Sequence, residues 1–581
     1  MGPAMLFIDI DKIKGVESKE GKSLKGYETD VHRSSRNRKV WEGGREREKR
    51  ASSYLAAAMK ESEGGRGGAR RRSRLEAGKD DTRPYKRPRW GTSNNGSNHA
   101  DVIASASDEC GDEGCLRFKC KPQKAGGCVV KYPIANRGDC TLASSIFLNS
   151  LTEAFGGLRK RLRRDIPMKT LKRWAEFMAS CYGQETRQFH SLGHVMKLCE
   201  KSTPIQKIAT LFHDVAYYQV DNSPPPGSSR FLDDVLTLHK AEKKEHIYVV
   251  TGDGGGNKGV LIAMKTFCVK MGQKLDPSIG LNEFASAVIG SRLLLEEEAV
   301  PLDIIVEMCA VIEGTIPFRK NQWTERLYVN LLEAKKEFKL TWNAEQIESV
   351  VKNSVELANR DVGDFGEEEI LLFLEGTWDL LVENNPRIRM EGERCPIQVY
   401  RSGLQKTHIF LSTVATNLIY SKFRDTPTQK YFEHLSENAA KNVEVSRIYS
   451  GMKYALCLLI ESLERLSGRV AHLVTKGFDK TEGSLSSVST KMTEKASSLL
   501  RVLMLHRSIK HSRIDEALTH LSRKLLAVLD GDLDQLEKLL SSAKGHSSAK
   551  PTVALSKEEA SSILKSFPPK FVTEVKDLFS F

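Results

Sequence analysis

The feature that most constrains the fold of this chain is an abrupt change in sequence texture close to residue 141. From about residue 16 to 109 the chain is rich in Ser, Gly, Arg, Lys and Glu and poor in aliphatic residues. A segment of this kind cannot bury enough apolar surface to offset the chain entropy lost on folding. We therefore predict that residues 1–140 form a disordered, basic, cysteine-containing region and that the folded part starts at about residue 141.

Beyond residue 141 apolar residues recur at intervals of three and four, the periodicity of an amphipathic helix. The clearest case is 204–218, where a Ser-Thr cap and a first-turn proline precede the apolar positions Ile205, Ile208, Ala209, Phe212 and Ala216. Similar patterns predict helices at about 141–158, 168–182, 189–200, 281–298, 301–313, 344–361 and 366–383. Strand signals are sparse, and His246–Val250 is the clearest of them. We therefore expect an all-α helical bundle.

Two segments rich in proline or glycine, 221–230 and 251–259, interrupt the helical pattern. The second lacks the GxxxxGK[ST] order of a phosphate-binding loop, so it is interpreted as part of a flexible insertion. Residues 474–500 and 542–550 have linker composition, with short amphipathic helices near 509–541 and 556–580. The expected regions are 1–140, a folded domain at 141–470 with an insertion at about 221–280, and a linker with extra C-terminal helices at 471–581.

Positive charge is concentrated near the start of the chain. The formal net charge is +14, and the first hundred residues carry 24 Lys and Arg against 14 Asp and Glu. Within residues 33–89 the runs RRRSR (70–74) and KRPR (86–89) are typical of nuclear-import signals or of contacts with nucleic-acid phosphates. A solvated basic tail without a dedicated partner explains them equally well.

The sequence favours a reduced compartment inside the cell. No apolar run reaches the 18 residues needed to span a bilayer, and the N-terminus lacks the pattern of a secretory signal. Eleven cysteines, an odd number, argue against a disulfide framework. A denser cysteine group lacks CxxC pairs, so free thiols are favoured over a zinc site at Cys110, Cys115, Cys120, Cys128 and Cys140. The expected location is the cytoplasm or the nucleus, without a membrane partner.

Three short patterns contain side chains suited to metal chemistry. In FHSLGH, His190 and His194 are four residues apart and would share one face of a helix. In LFHDVAYY, His213 and Asp214 lie near the end of an apolar helix, where a buried carboxylate is costly unless it is paired or bound to a metal. The apolar stripe of 344–361 ends at Asp361.

Each pattern alone has an ordinary structural explanation, such as a core histidine, an aspartate paired with Arg360 or a surface acid at a helix end. The complete order of His, His-Asp and a distant Asp is much harder to obtain by accident. Neutral imidazoles and carboxylates together suit a divalent cation that keeps coordination positions open.

The order H…HD…D across a helical domain resembles the HD superfamily of metal-dependent phosphohydrolases. The opening is similar to that of the HD phosphohydrolases with a YHxxxH motif and to the YHNxxH opening of class I cyclic-nucleotide phosphodiesterases. The resemblance covers about residues 141–470 and is carried by FHSLGH (189–194), FHDVAYY (212–218), NEFASA (282–287), IEGTIPF (312–318) and ANRDVGDF (358–365).

The resemblance implies a role for each of nine residues. The divalent ion, which could be Mn, Mg, Zn, Fe, Co or Ni, would be held by His194, His213, Asp214 and Asp361. His190 would be the catalytic proton donor to the leaving oxygen. Contacts with the small phosphorylated substrate would come from Arg187, Asn282, Glu283 and Thr315. If the site holds two ions, Asp214 is the best placed to bridge them.

The sequence departs from the family pattern at two places. Phe189 replaces the usual tyrosine, and 67 residues separate Asp214 from Asn282, where simple members have a shorter link. The insertion could form a lid or a partner surface, or could accompany loss of activity.

Three functions are carried forward from these observations. The first is metal-dependent hydrolysis of a phosphomonoester or phosphodiester, such as a nucleotide or a small phosphorylated metabolite. The second is a catalytically silent HD domain that acts as a regulatory or interaction module. The third is nucleic-acid binding through the basic tail, alone or as an accessory to the first.

Overall fold

The computed structural model describes residues 140–579, except 222, 241–245, 277–279, 320–321, 392–394, 471–493, 506–512 and 546–553. The predicted disordered tail, its basic runs and the cysteines from Cys110 to Cys128 lie outside the described residues. The described part is predominantly helical with one small sheet, so the all-α prediction is confirmed. None of the described helices is both long and apolar enough to span a bilayer.

The first half of the described chain is a group of helices with a small sheet inserted. The helices are α1 (Cys140–Gly157), α2 (Met168–Tyr182), α3 (Leu192–Cys199), α4 (Pro204–Phe212), the single turns α5 (Tyr218–Asp221) and α6 (Ser229–Leu232), α7 (Lys258–Phe267), α8 (Leu281–Leu295), α9 (Leu302–Gly314), α10 (Trp323–Glu337) and α11 (Ala344–Asp361). Seven predicted helices have a counterpart among these, although α3 begins later and α4 ends earlier than predicted, whereas α7 and α10 were not predicted.

The second half is entirely helical in its described residues. A 3₁₀ turn at Gly363–Gly366 leads to α12 (Ile370–Glu383), α13 (Pro386–Glu391), α14 (Ile397–Thr413) and the long α15 (Gln429–Ser467), followed by α16 (Glu494–Leu505), α17 (Arg513–Val528), α18 (Leu533–Gly545), α19 (Lys557–Lys565) and α20 (Pro569–Leu578). The prediction of a linker up to residue 500 is wrong at its end, since α16 begins at Glu494.

Helix α4 ends earlier than its sequence pattern predicts. Its start is as expected, with Thr203 and Gln206 forming a capping box around Pro204. The helix stops at Phe212 rather than near residue 218. Beyond that point the backbone N–H of Ala216 donates to Ser286 Oγ on α8, and this tertiary contact replaces a helical hydrogen bond. His213 and Asp214 therefore lie in a turn directly after the helix.

The insertion forms an antiparallel three-stranded sheet in the order β1 (Leu236–Lys240), β2 (His246–Val250) and β3 (Lys274–Leu275). Strand β2 is the one that the sequence predicts. The following helix α7 packs so closely on α8 that a Cβ atom at Gly259 would lie 3.0 Å from the backbone of Ser291. Arg292 on α8 fixes the insertion further, since its guanidinium forms two 2.7 Å bonds with the Asp234 carboxylate.

The buried apolar side chains form two large cores and a smaller one. The first core draws on α1 to α11, and the second draws on α12 and the helices that follow it. The smaller cluster packs Phe189 against residues of the second half, including Phe365, Phe373 and Tyr420. The domain boundaries at 140 and 470 remain predictions.

One fully buried ion pair links the helices of the second core. Lys453 Nζ on α15 lies 2.6 Å from Oδ1 of Asp515 on α17, and neither side chain is exposed. The ammonium also lies 4.8 Å from the ring centroid of Trp378 and 4.7 Å from that of Tyr449. The Tyr400 hydroxyl donates to the same carboxylate at 2.5 Å. These contacts compensate a charge that burial would otherwise make costly.

We expect Asp515→Ala to lower the free energy of unfolding by about 3–5 kcal/mol, because it leaves the Lys453 ammonium buried without its counter-charge. Urea denaturation followed by circular dichroism measures this change. The exposed Asp577→Ala variant should stay within about 0.5 kcal/mol of the wild type. A loss below about 1 kcal/mol for Asp515→Ala would contradict the buried environment.

Candidate metal centre

Four side chains from three parts of the chain converge beside α4. His194 lies in the first turn of α3, His213 and Asp214 follow α4, and Asp361 ends α11. His213 Nε2 lies 3.0 Å from Asp214 Oδ2 and 3.7 Å from Asp361 Oδ1. His194 Nε2 lies 3.9 Å and 3.2 Å from the same two oxygens. The structure thus brings together the four residues named as metal ligands from the sequence.

The donor atoms of this cluster fit a divalent cation. One ligand atom each from His194, His213 and Asp214 lies within 4.8 Å of the others, and all three residues are buried. Within the described residues, neither Nε2 atom has a hydrogen-bond partner, although carboxylate oxygens lie close to both. Buried imidazole nitrogens and carboxylate oxygens are the ligands that borderline divalent cations prefer. The His-His-Asp group could therefore hold a metal ion.

Surrounding hydrogen bonds fix the turn that carries His213 and Asp214. His213 Nδ1 lies 2.7 Å from the carbonyl oxygen of Thr210, so an N–H at Nδ1 donates to the backbone and Nε2 remains available as a ligand atom. The backbone N–H of Asp214 donates to the Tyr182 hydroxyl at 3.3 Å. The carbonyl oxygen of Asp214 accepts a hydrogen bond from the Arg187 guanidinium at 2.5 Å. The orientation of both ligand side chains is therefore supported by their neighbours.

The electrostatics of the cluster are those of two buried carboxylates beside two imidazoles. Burial would raise the pKa of Asp361, but the adjacent imidazoles of His194 and His213 hold it far below its usual range. Burial opposes ionisation of Asp214 as well, and the charge of His213 still lowers the pKa of this carboxyl. For His213, burial favours the neutral form, yet the two carboxylates raise its pKa well above the usual value. A bound cation would replace the proton on His213.

His194 differs from His213 because burial dominates and lowers its pKa. A neutral imidazole is the form that binds a metal. The two histidines of the cluster therefore differ in pKa, and His213 holds a proton more readily than His194.

His190 is close to the cluster but not in the same helix as His194. Helix α3 begins at Leu192, so the prediction of a helix from residue 189 is wrong at its start. The two imidazole centroids are nevertheless 5.6 Å apart. The turn that brings the two rings together is stabilised by a residue that lies far away in the sequence.

The residue that stabilises this turn is Glu383, the last residue of α12. Its Oε2 accepts the backbone N–H groups of Gln188, Phe189 and His190 at 2.9, 2.7 and 2.9 Å. Its Oε1 lies 2.6 Å from His190 Nδ1. Burial would lower the pKa of His190, but the Glu383 carboxylate more than compensates and raises it. Burial would raise the pKa of Glu383, and the charge of His190 together with the N–H donors lowers it.

Arg187 is fully buried and its guanidinium is occupied by protein groups. It pairs with Asp221 at 2.6 Å and also donates to the carbonyl oxygens of Asp214 and Val215. Burial would lower the pKa of this guanidinium, but Asp221 raises it. In the structure Arg187 supports the turn that carries His213 and Asp214, and its predicted contact with phosphate stays a prediction.

The other three predicted substrate residues lie on α8 and at the end of α9. Asn282 Oδ1 accepts from the backbone N–H of Tyr218 at 2.8 Å, and the Thr315 hydroxyl donates to the carbonyl of Ile312 at 2.8 Å. Glu283 is buried, and within the described residues its Oε2 has no hydrogen-bond partner. Burial raises the pKa of Glu283 to about 7. Glu283 thus has a carboxylate oxygen without a protein partner within the described residues. Substrate contact by all three residues stays a prediction.

No family model, curated protein or solved structure matches this chain. The chemistry of the centre is therefore inferred from its own side chains.

Glu383 and Asp221 are two residues of the site region that were not predicted from the sequence. Glu383 ends the otherwise apolar run ILLFLEGTWDLLVE, and an acid in such a position is costly unless a partner compensates it. The same reasoning that drew attention to Asp214 could have identified it. Its partner His190 lies 193 positions away, and nothing local in the sequence connects the two.

We expect added Mn²⁺ to raise the melting temperature of the full chain, because the ion binds the folded state alone. An ion at 100 times its dissociation constant adds about 2.7 kcal/mol of stability. In Asp361→Ala the shift should largely disappear because a ligand is lost. Differential scanning fluorimetry measures both shifts, and the exposed Asp425→Ala variant is the control.

The same titration is repeated with Mg²⁺, Zn²⁺, Fe²⁺, Co²⁺ and Ni²⁺. A wild-type protein that is stabilised by none of these ions would rule out the metal centre.

Proposed function

We propose that this protein is a metal-dependent phosphohydrolase of the HD type, acting on a phosphomonoester or phosphodiester such as a nucleotide or a small phosphorylated metabolite. The observation that carries the proposal is the convergence of His194, His213, Asp214 and Asp361 in one buried cluster. Residues that are up to 167 positions apart meet in the order H…HD…D on which the resemblance to this family rests.

The four side chains of the cluster would hold the cation. When bound, a divalent cation supplies Lewis acidity toward a phosphoryl oxygen and lowers the pKa of water enough to provide a nucleophile near neutral pH. The protein contributes the turn after α4, which Arg187 and Tyr182 stabilise through hydrogen bonds with the backbone of Asp214.

His190 would donate a proton to the leaving oxygen. A general acid must be protonated at the working pH, and the Glu383 carboxylate provides for this by raising the pKa of His190. The same carboxylate fixes the ring through Nδ1 and the backbone through three N–H groups, so Nε2 is the atom left to transfer a proton. Glu383 is thus a positioning residue that acts through His190.

The enclosure of the centre supports a small substrate. The side chains of His194, His213 and Asp214 are 3%, 2% and 7% exposed, whereas that of Asp361 is 16% exposed. Solvent therefore reaches the cluster mainly beside Asp361. A phosphate group on a small molecule fits such access better than one within a folded macromolecule.

The decisive test is a panel of nucleotides, sugar phosphates and nitrophenyl phosphate mono- and diesters, incubated with the metal-loaded full chain. We expect release of phosphate or of a nucleoside monophosphate, and at least a 10³-fold loss in Asp214→Ala because the cluster loses a carboxylate. The exposed Asp425→Ala variant should keep full activity. If a folded, metal-loaded wild-type protein hydrolyses nothing on the panel, the cluster has a non-catalytic role and the proposal fails.

The His190–Glu383 pair predicts how activity depends on pH. Activity falls as the pH rises through the pKa of His190, because the acid loses its proton. Removing the carboxylate in Glu383→Gln lowers that pKa, so the alkaline loss of kcat should begin at lower pH than in the wild type. Glu375→Gln, an exposed position on the same helix, is the matched control. An unchanged alkaline limb in Glu383→Gln would show that His190 is not the acid.

A further inference from the structure

Tyr217 lies in the turn that carries the metal-ligand pair, three residues after Asp214. The backbone on both sides of it is fixed by α8, since Ala216 N–H donates to Ser286 Oγ at 3.0 Å and Tyr218 N–H donates to Asn282 Oδ1 at 2.8 Å. Tyr217 is only 4% exposed. Its position is therefore set by the protein rather than by a ligand.

The ring of Tyr217 packs directly on the proposed acid. Its centroid lies 4.1 Å from that of the His190 imidazole, and the two planes are 30° apart. The guanidinium carbon of Arg187 lies 5.7 Å from the same centroid. The ring is thus held between the acid and the residue that supports the turn.

The hydroxyl of Tyr217 has no hydrogen-bond partner within the described residues. Two other buried tyrosines have partners for theirs, since the hydroxyl of Tyr182 donates to the Leu211 carbonyl and that of Tyr420 donates to the Val362 carbonyl. Although the ring is buried, the hydroxyl oxygen is not one of the fully buried polar atoms that lack a partner among the described residues. Solvent therefore reaches this oxygen, and it is open to a ligand.

The phenol of Tyr217 lies in an environment rich in carboxyl groups. Burial raises its pKa well above the usual value, and four carboxyl groups raise it further, those of Asp214, Glu383, Glu283 and Asp361. These groups come from four different parts of the chain, and two of them, Asp214 and Asp361, belong to the cluster itself. The phenol therefore stays protonated, and its neutral O–H is available as a hydrogen-bond donor.

We propose that the Tyr217 hydroxyl donates a hydrogen bond to a non-bridging oxygen of the substrate phosphoryl group, beside the leaving oxygen that His190 protonates. This inference rests on the proposed function. A phosphoryl group that enters a site with several carboxylates meets repulsion, and a neutral donor is favourable without adding a further charge. Tyr217 thus supplies a substrate contact that neither the metal ligands nor His190 provides.

The neighbouring Tyr218 offers a matched control. It is equally buried, and within the described residues its hydroxyl also lacks a partner. Its ring instead packs at 4.7 Å on Tyr248 of the inserted sheet. Burial raises the pKa of Tyr218, and the neighbours that add to this are Tyr248 and Asp233, neither of which belongs to the cluster. The two tyrosines therefore differ mainly in which side of the turn they face.

The experiment compares Tyr217→Phe and Tyr218→Phe with the wild type, all as Mn²⁺-loaded full chains. Calorimetry measures binding of inorganic phosphate, and hydrolysis of bis(4-nitrophenyl) phosphate gives kcat and KM. For Tyr217→Phe we expect phosphate to bind about 10- to 100-fold more weakly and kcat/KM to fall by a similar factor. Its melting temperature should be unchanged, because the hydroxyl that is removed has no protein partner within the described residues. Tyr218→Phe should match the wild type in binding and turnover.

The outcomes separate this proposal from the proposed function. If the wild type binds phosphate but hydrolyses no ester, a selective loss of binding in Tyr217→Phe still supports the contact while the hydrolase proposal fails. Equal phosphate affinity in Tyr217→Phe and wild type overturns the contact even if hydrolysis is robust. A wild type that binds no phosphate, a fall in melting temperature of Tyr217→Phe, or an equal effect of both substitutions would likewise overturn it.

Discussion

The structure around the centre depends on one constraint, the burial of Asp214 and Asp361 against the same pair of imidazoles. Two carboxylates in a low-dielectric interior repel each other and lose hydration, and each requires compensation by positive charge. In the absence of a cation the protein provides this through His213, whose affinity for a proton is raised for that reason. A divalent cation provides the same compensation more directly. Binding of an ion by the cluster would therefore offset the free-energy cost of burying these two carboxylates.

The second core takes part in the centre through helix α12. Helix α12 ends at Glu383, which holds His190, and one turn earlier Trp378 packs at 5.1 Å on Tyr449 of α15. His190 is thus oriented by a residue whose helix is anchored among the C-terminal helices. This arrangement explains how helices far from the cluster in sequence contribute to it, since a positioning carboxylate is only as fixed as the helix that carries it.

The turn after α4 shows how tertiary contacts override a local pattern. The apolar periodicity of 204–218 is that of a longer helix, yet the chain leaves the helix after Phe212. Backbone N–H groups beyond that point donate to Ser286 and Asn282, which lie some 65 to 70 positions later in the sequence. By unwinding here, the chain turns His213 and Asp214 toward Asp361 and places Tyr217 against His190.

The sequence by itself determined the helical class of the fold and the positions of most helices in the first half, because apolar periodicity is local information that can be read without knowing what packs where. The four residues of the cluster were named from the resemblance of the H…HD…D order to a known family. Only the tertiary structure decided where α4 ends and that Glu383 rather than a neighbour orients His190. It also decided that Asp221 forms an ion pair with Arg187. Each of these depends on a hydrogen bond or ion pair between residues distant in the chain or across a turn, and the energy of such a contact exists only once both partners have been brought together.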